Sequence, residues 1–360
     1  MDFSLSQETT FLAETARRFI KDEIGIEYVR EVDRSPSGLS REKWKKMAEL
    51  GWHELGTLAG ESLLDLCVLV REFGAALVPG PYLANALCGF VIAQAGNDQQ
   101  RQLLDGLICG SEIHTYAVAE GTGEWSFDEI SLQADVAEGG FVLSGKKFYS
   151  PECVDADYVH VYAKTAEGQL AVFIIPTDAG GLDLKEVKTI GGDRQSNVEL
   201  SRVFVPSVDV IELDAETVRD IWNVANCLEC AYLVGLASRS SSRAVEYVKE
   251  RVQFGKPVGS FQALHQKCAD SLIDLEGMEL LMYRAAWTTQ EKGPDRDVVV
   301  AMAKSWCSDV SRRIVWRSQQ MNGAAGFTER DDTQLYFRRQ RRPAFFWGTA
   351  DYHRSRIGKS

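Results

Sequence analysis

Cys227 and Cys230 form a Cys-x-x-Cys, the spacing of half a zinc knuckle or of a dithiol redox pair. Their surroundings are apolar and helical in period, with no second pair and no neighbouring histidine to complete four ligands, so packed thiols are expected. The other six cysteines (Cys67, Cys88, Cys109, Cys153, Cys268, Cys307) are scattered, which suggests reduced, mostly buried side chains rather than a disulfide framework. The histidines His53, His114, His160, His265 and His353 do not cluster along the chain and read as packing residues, with no metal expected. Arg338, Arg339, Arg341 and Arg342 make the one dense basic run. It reads first as a solvated or subunit-facing helix surface, and secondly as a phosphate contact, because guanidinium forks match phosphate oxygens. Neither Gly-x-Gly-x-x-Gly nor a P-loop occurs, so a nucleotide would have to be held by another architecture.

Any such groups need a scaffold, and 360 residues are enough for two or three domains with a cleft. With 45% hydrophobic and 26% charged residues, disorder and fibrous architectures are excluded. Lys plus Arg total 40 against 52 for Asp plus Glu, and a net charge of −12 argues against nucleic acid and anionic membranes as partners. No apolar run approaches the roughly 18 residues of a membrane span, and Met1 to Ile20 lacks the order of a signal peptide, so a cytoplasmic location is expected.

Helical periodicity dominates the first 110 residues. Ser4 with Gln7 suggests a capping box ahead of an apolar face of Phe11, Leu12, Ala16, Phe19, Ile20 and Ile24. Further helices are expected over Arg41 to Leu50 (stopped by Gly51), Ser62 to Leu77 (stopped by Pro79-Gly80-Pro81), Ala84 to Ala95 and Gln99 to Leu107. From about His114 the period changes. Ile130, Leu132, Ala134 and Val136 alternate with polar residues, and Gly139-Gly140 supplies a turn into Phe141-Val142-Leu143. Short runs at Tyr158 to Tyr162, Leu170 to Ile175 and Val198 to Val205 complete a small antiparallel sheet or barrel. Helical period returns after Pro206, and this order disfavours an alternating parallel α/β sheet.

The stretch from Gly235 is the most informative. Gly235-Leu236-Ala237, then Tyr247 to Gln262 (Y-V-K-E-R-V-Q-F-G-K-P-V-G-S-F-Q), closely resembles the signature of the acyl-CoA dehydrogenase flavoprotein family. Gln320 to Phe327 (Q-M-N-G-A-A-G-F) and Gly348-Thr349 agree in order and spacing, and weaker likeness covers Glu72 to Tyr82 and Gly191 to Pro206. The resemblance implies an α+β, mainly α chain: an N-terminal helical domain (1–112), a middle antiparallel β-domain (113–210) and a C-terminal four-helix bundle (211–360). It also implies FAD bound between subunits. By resemblance Arg251, Gln253 and Phe254, with Gln320 and Gly323, reach the ADP half of a neighbouring subunit's FAD, while Thr349 contacts the FAD of its own subunit. An arginine suits pyrophosphate, an aromatic ring packs on the cofactor and a glycine admits close backbone approach. For Phe254 and Leu264 the alternative is ordinary bundle core.

The family removes an α-proton from an acyl-CoA thioester with a glutamate while the β-hydrogen leaves as hydride. Counting without a gap from Gly326, that glutamate position holds Trp347, which has no basic atom. The second position used by some members aligns with Ala225 or Asn226; Glu229, one turn further on, is the weak remaining candidate. The usual Thr-Glu-Pro-Gly-x-Gly-Ser-Asp reads Ala119 to Ser126 (A-E-G-T-G-E-W-S), losing a hydroxyl for the flavin. Tyr149-Ser150-Pro151 stands for Trp-x-Thr, so a ring-packing aromatic, Tyr149, survives, and the loop Gly56 to Glu61 is shortened. The Trp347 backbone N–H would still be able to polarise a carbonyl. Groups serving a neighbour's FAD persist and groups serving the chain's own site are lost. That asymmetry suits a subunit paired with a base-bearing paralogue in a heterodimer or heterotetramer, as in short members from sterol side-chain degradation. The alternatives are a self-sufficient homomeric flavoenzyme with a non-standard base and a non-catalytic acyl-CoA or protein-binding scaffold.

Overall fold

Ser6 starts the first helix: its Oγ accepts the Thr9 N–H at 3.0 Å, satisfying one orphan donor of the first turn. The computed structural model describes residues 5–35, 37–121 and 127–358, so Ser4 and the 122–126 part of the Ala119 to Ser126 segment lie outside the described residues. In chain order the helices are α1 (Gln7–Phe19), α2 (Ile26–Val32), α3 (Arg41–Glu49), α4 (Glu54–Thr57), α5 (Ala59–Ala76), α6 (Tyr82–Ala95), α7 (Leu103–Ile108), α8 (Ala215–Glu250), α9 (Gln262–Gln290), α10 (Arg296–Met321), α11 (Thr333–Arg339), α12 (Arg341–Phe345) and α13 (Ala350–Ile357). The strands are β1 (His114–Ala117), β2 (Ala134–Ala137), β3 (Gly140–Pro151), β4 (Tyr158–Lys164), β5 (Leu170–Pro176), β6 (Leu182–Val187), β7 (Gln195–Pro206), β8 (Val210–Glu212), β9 (Val252–Gln253) and β10 (Lys256–Pro257).

The chain packs as two compact units, residues 1–30, 64–78 and 226–360 in one and residues 31–63 and 79–225 in the other, with boundaries inside α5 and α8. The second unit holds two four-stranded sheets, ordered β1-β4-β5-β8 and β2-β3-β7-β6. Every pairing within them is antiparallel except β1 with β4, which is parallel. The expected turn at Gly139 is present: Ala137 pairs with Gly140, and Gly139 takes φ 77°, which an L side chain rarely adopts. One core is built by period two, from Val159, Val161 and Ala163 of β4 with Ala171, Phe173 and Ile175 of β5. On β7 the inward set shifts from Val198 and Leu200 to Val203 and Val205, because a bulge at Arg202 (φ 55°) inserts one residue and flips the alternation.

Burial of an apolar stripe, rather than propensity, fixes the helices, and that corrects part of the N-terminal reading. α1 buries Thr9, Ala13 and Ala16, whereas Phe11 is exposed. The apolar run Phe19 to Ile24 is not continuous α-helix: Ile20–Ile24 is a π-helical turn that ends at Gly25. Helix α5 begins before the expected Ser62, which marks a kink with φ −134° and ψ 35°. In the first unit α5 and α8 cross at glycines. A Cβ on Gly235 would sit 1.8 Å from the Arg71 carbonyl oxygen, and one on Gly74 would sit 2.1 Å from that of Tyr232. Only glycine lets the two backbones approach this closely.

Candidate active site

The hairpin β9–β10 carries the residues singled out for dinucleotide contact. Gln253 pairs with Lys256, so Phe254 and Gly255 are the two central turn residues, with φ 54° and 77°. Positive φ at both positions is the type I′ turn that closes two-residue hairpins, and glycine fits the second place without strain. A phenylalanine in the first place is strained, and nothing in the core repays it, because Phe254 is 90% exposed. The core alternative for Phe254 is therefore excluded, whereas Leu264 is partly buried against Ala244, Val248 and Met321. Arg251, Gln253 and Gln320 are likewise exposed, and Gly323 (φ 59°) has no atom within 4 Å of where a Cβ would sit. All five of these residues present an open outer surface on the first unit.

The segment around Trp347, where the ungapped count from Gly326 expects the family glutamate, is built differently. Trp347 is 1% exposed, with φ 60°, and its carbonyl oxygen lies 2.9 Å from His353 Nε2. The fully buried Lys304 ammonium on α10 donates to the carbonyls of Pro343 at 2.7 Å and Ala344 at 3.3 Å, and reaches Gly348 at 3.5 Å. Burial lowers the Lys304 pKa, and burial followed by Lys304 pulls His353 down to about 3, keeping that imidazole neutral. Thr349 is exposed, but its hydroxyl caps α13 by accepting the Tyr352 N–H at 3.2 Å.

Glu229 sits on α8 at 2% exposure, with Oε1 3.3 Å from Arg342 of α12. Its Oε2 has no hydrogen-bond partner among the described residues. The carboxylate is held in an ion pair in which Arg342 also lies over the Phe346 ring at 4.9 Å. Ala225 and Asn226 are buried and bring no carboxylate. The arginine run is thus not a solvated face. Arg342 holds Glu229, and Arg339, 7% exposed, donates to the Leu77 carbonyl at 2.6 Å.

In the sheet unit, Tyr149 is 37% exposed at φ 58°, where the β3–β7 register shifts between Lys147 and Ser150. The bulge leaves its ring half out of the sheet. Beneath it Lys147 donates to Glu120 at 2.5 Å and to the Val118 carbonyl at 3.2 Å, while Phe148 N–H donates to Ala119. Burial draws the Lys147 ammonium down to about 8 against the pull of Glu120. Burial would raise the Glu120 carboxyl, but Lys147 and Ser131 outweigh it and hold the group low. This strap fixes residues 118–120 against β3, and neither member was singled out from sequence. Nor was the contact of His114 Nδ1 with His160 Nε2 at 3.0 Å, which corrects the reading of unclustered histidines. Among the described residues no cluster suits a metal ion, and Cys227 and Cys230 are free and buried; Cys109 is the exposed thiol. No described helix is long and apolar enough to cross a membrane.

Among the described residues, the non-glycine residues with positive φ are Leu77, Tyr149, Glu152, Arg202, Phe254, Lys292 and Trp347. All three aromatics in that set are positions the sequence marks for flavin or substrate, and backbone strain of this kind gathers at functional sites.

Comparison with known proteins supplies the chemistry. The model of the acyl-CoA dehydrogenase N-terminal domain matches residues 6–110, and that of the acyl-CoA dehydrogenase C-terminal domain matches residues 223–360. The benzylmalonyl-CoA dehydrogenase of Aromatoleum aromaticum is 28% identical over 382 residues, covering 100% of this chain and 99% of the relative. Among solved structures, a variant of the Tcur3481-Tcur3483 steroid ACAD superposes with TM-score 0.89 at 28% identity, over 99% of this chain and 98% of that one. PigA with FAD and proline superposes at 0.88 and 25% identity, over 100% and 98%. With both terminal domains matched and the likeness running the length of the polypeptide, the chain belongs to the acyl-CoA dehydrogenase family, oxidoreductases that act on acyl-CoA or related thioesters.

Proposed function

We propose that this chain is one subunit of a heteromeric FAD-dependent acyl-CoA dehydrogenase, and that it works with a paralogue that supplies the carboxylate base. The observation that carries this reading is the buried Trp347 at the position where the glutamate is expected, its carbonyl engaged by His353, with the weak candidate Glu229 tied to Arg342. The two-protein name of the Tcur3481-Tcur3483 steroid ACAD accords with a paired assembly.

FAD fits the residues present. The exposed guanidinium of Arg251, the amides of Gln253 and Gln320, the solvent-facing Phe254 ring and the open backbone at Gly323 offer charge, hydrogen bonds, an apolar plate and close approach on one unit's outer surface. Tyr149 would pack on the flavin ring, and Thr349, already a helix cap, would contribute its exposed edge. When bound, the flavin supplies the acceptor for the substrate's β-hydrogen. This chain's own part is to bind and orient: Arg251 neutralises pyrophosphate charge, and the strap of Lys147 and Glu120 holds the segment before Gly121 in place. Proton removal falls to the partner, since losing a positioned base costs roughly 10²- to 10⁴-fold in rate.

The test is the flavin content and activity of the chain purified alone and with a glutamate-bearing relative. The reading expects a pale, inactive single chain and an active pair holding one FAD per two chains, with flavin lost on Arg251→Gln. A fully flavinated single chain whose colour is bleached by an acyl-CoA would overturn it.

A further inference from the structure

Arg17 and Lys21 are four residues apart at the end of α1 and in the π-helical turn, and Arg239 and Arg243 are four apart on α8. Like charges at that spacing repel along a helix face, so each pair is unfavourable unless something negative sits against it. Both pairs line the same cavity, of about 380 Å³, within one packing unit, together with Glu72 and the phenol of Tyr336. From this cleft we infer a binding site for a phosphate monoester with a compact apolar body, separate from the dinucleotide surface at Arg251.

Charge accounting supports a dianion. Glu72 is shared by Arg17 and Arg71, and Arg71 also reaches Glu279. Asp332 is shared by Arg30 and Arg243, and Arg239 pairs with Glu246. Lys21 makes no ion pair among the described residues, and the lining itself carries four cations, Arg17, Lys21, Arg239 and Arg243, against the one carboxylate of Glu72. That surplus stands on a chain whose net charge is −12. Asp22 and Glu23 follow Lys21 but do not line the cavity. Arg243 Nε is buried without a hydrogen-bond partner, a donor whose desolvation an oxyanion would repay.

The shape of the cleft supports an ester rather than a bare ion. Ile20, Ile24 and Ala76 form an apolar wall beside the cationic rim, and the volume falls within the range of about 300 to 1,000 Å³ typical of small-molecule sites. The wall comes from the π-helical turn, a widened turn that frequently occurs at functional sites. A phosphate monoester carries about two charges at neutral pH and takes arginine forks in two directions, which a carboxylate does less well.

The experiment is isothermal titration of the assembled, flavin-loaded protein at low ionic strength with phenyl phosphate, inorganic phosphate and benzoate. Saturable binding of phenyl phosphate is expected, tighter than either control. It should weaken at least about tenfold in Lys21→Gln/Arg239→Gln, since charge-assisted hydrogen bonds are lost. Lys21→Gln alone changes an exposed, unpaired side chain, keeps the fold, and should weaken binding in the same direction. Arg251→Gln, titrated without its flavin, should bind phenyl phosphate as wild type does, and the Lys21 and Arg239 variants should keep their flavin, so this site and the proposed function fail separately. Absence of saturable binding, equal affinity for either control, or affinity indifferent to Lys21 and Arg239 would overturn the inference.

Discussion

Substituting Glu229→Gln separates a locking carboxylate from a catalytic one. At 3.3 Å the Glu229–Arg342 attraction is about 5 kcal/mol gross at an effective dielectric of 20, most of it offset by desolvation of the two groups. Breaking a buried pair by removing one partner costs about 3–5 kcal/mol. Arg342 keeps 15% side-chain exposure and its place over Phe346, and glutamine keeps one acceptor. The expected loss is therefore about 2–3 kcal/mol, below the full cost of an abandoned buried charge. Urea denaturation of the single chain would read it as a lower midpoint at unchanged slope. Arg342→Met should cost a similar amount, and the double variant should fall short of the sum, as residues in contact do. Stopped-flow reduction of the flavin in the assembled pair should be unaffected by Glu229→Gln once the protein is folded. If the variant keeps its urea midpoint while flavin reduction falls by about 10² or more, Glu229 is the base and the argument for an obligatory partner fails.

Two further substitutions test the packing beneath the site. Gly235→Ala places a methyl 1.8 Å from the Arg71 carbonyl, and overpacking at this helix crossing should cost about 1–3 kcal/mol in urea, with a normal midpoint refuting the close approach. His353 is held neutral to about pH 3 in the folded chain, whereas an unfolded histidine protonates near 6.5. Between those values the unfolded state binds the extra proton, so stability is complete above about pH 6.5 and falls on acidification by up to about 1.4 kcal/mol per unit. His53, lowered to about 4, and His160 act in the same direction, so the measurement is the difference between wild type and His353→Gln. The variant should show a flatter stability profile below pH 6, and parallel profiles would exclude the assignment.

The features that sequence made legible are those whose cause is local. The turn at Gly139 can be read from neighbouring residues, because turn chemistry acts over four residues, whereas the hairpin of Phe254 and Gly255 interrupts the helical period expected after Pro206. Helix α3 follows from the spacing of its apolar stripe, and α6, buried nearly all round, from the length of its apolar run after Pro79-Gly80-Pro81. Strands β1 and β6 escape for opposite reasons. The four residues of β1 are all buried, so they show no alternation, while β6 is an edge strand whose Asp183, Lys185 and Glu186 dilute its pattern. The π-helical turn escapes because Phe19 to Ile24 keeps a helical spacing whichever hydrogen bonds form. At the proposed site, Trp347 falls at the expected glutamate position by sequence alone. What the chain does with Glu229 cannot be read that way, since Arg342 lies more than a hundred residues away and the pairing exists only after α8 and α12 have packed. The same distance hides Lys304, whose ammonium gathers the carbonyls of residues 343, 344 and 348. These long-range pairings turn an absence in the sequence into a positive structural statement. The segment expected from sequence to present a base is bound down by a buried lysine, a neutral histidine and an ion pair, so installing a carboxylate at position 347 would have to displace that packing before it did any chemistry.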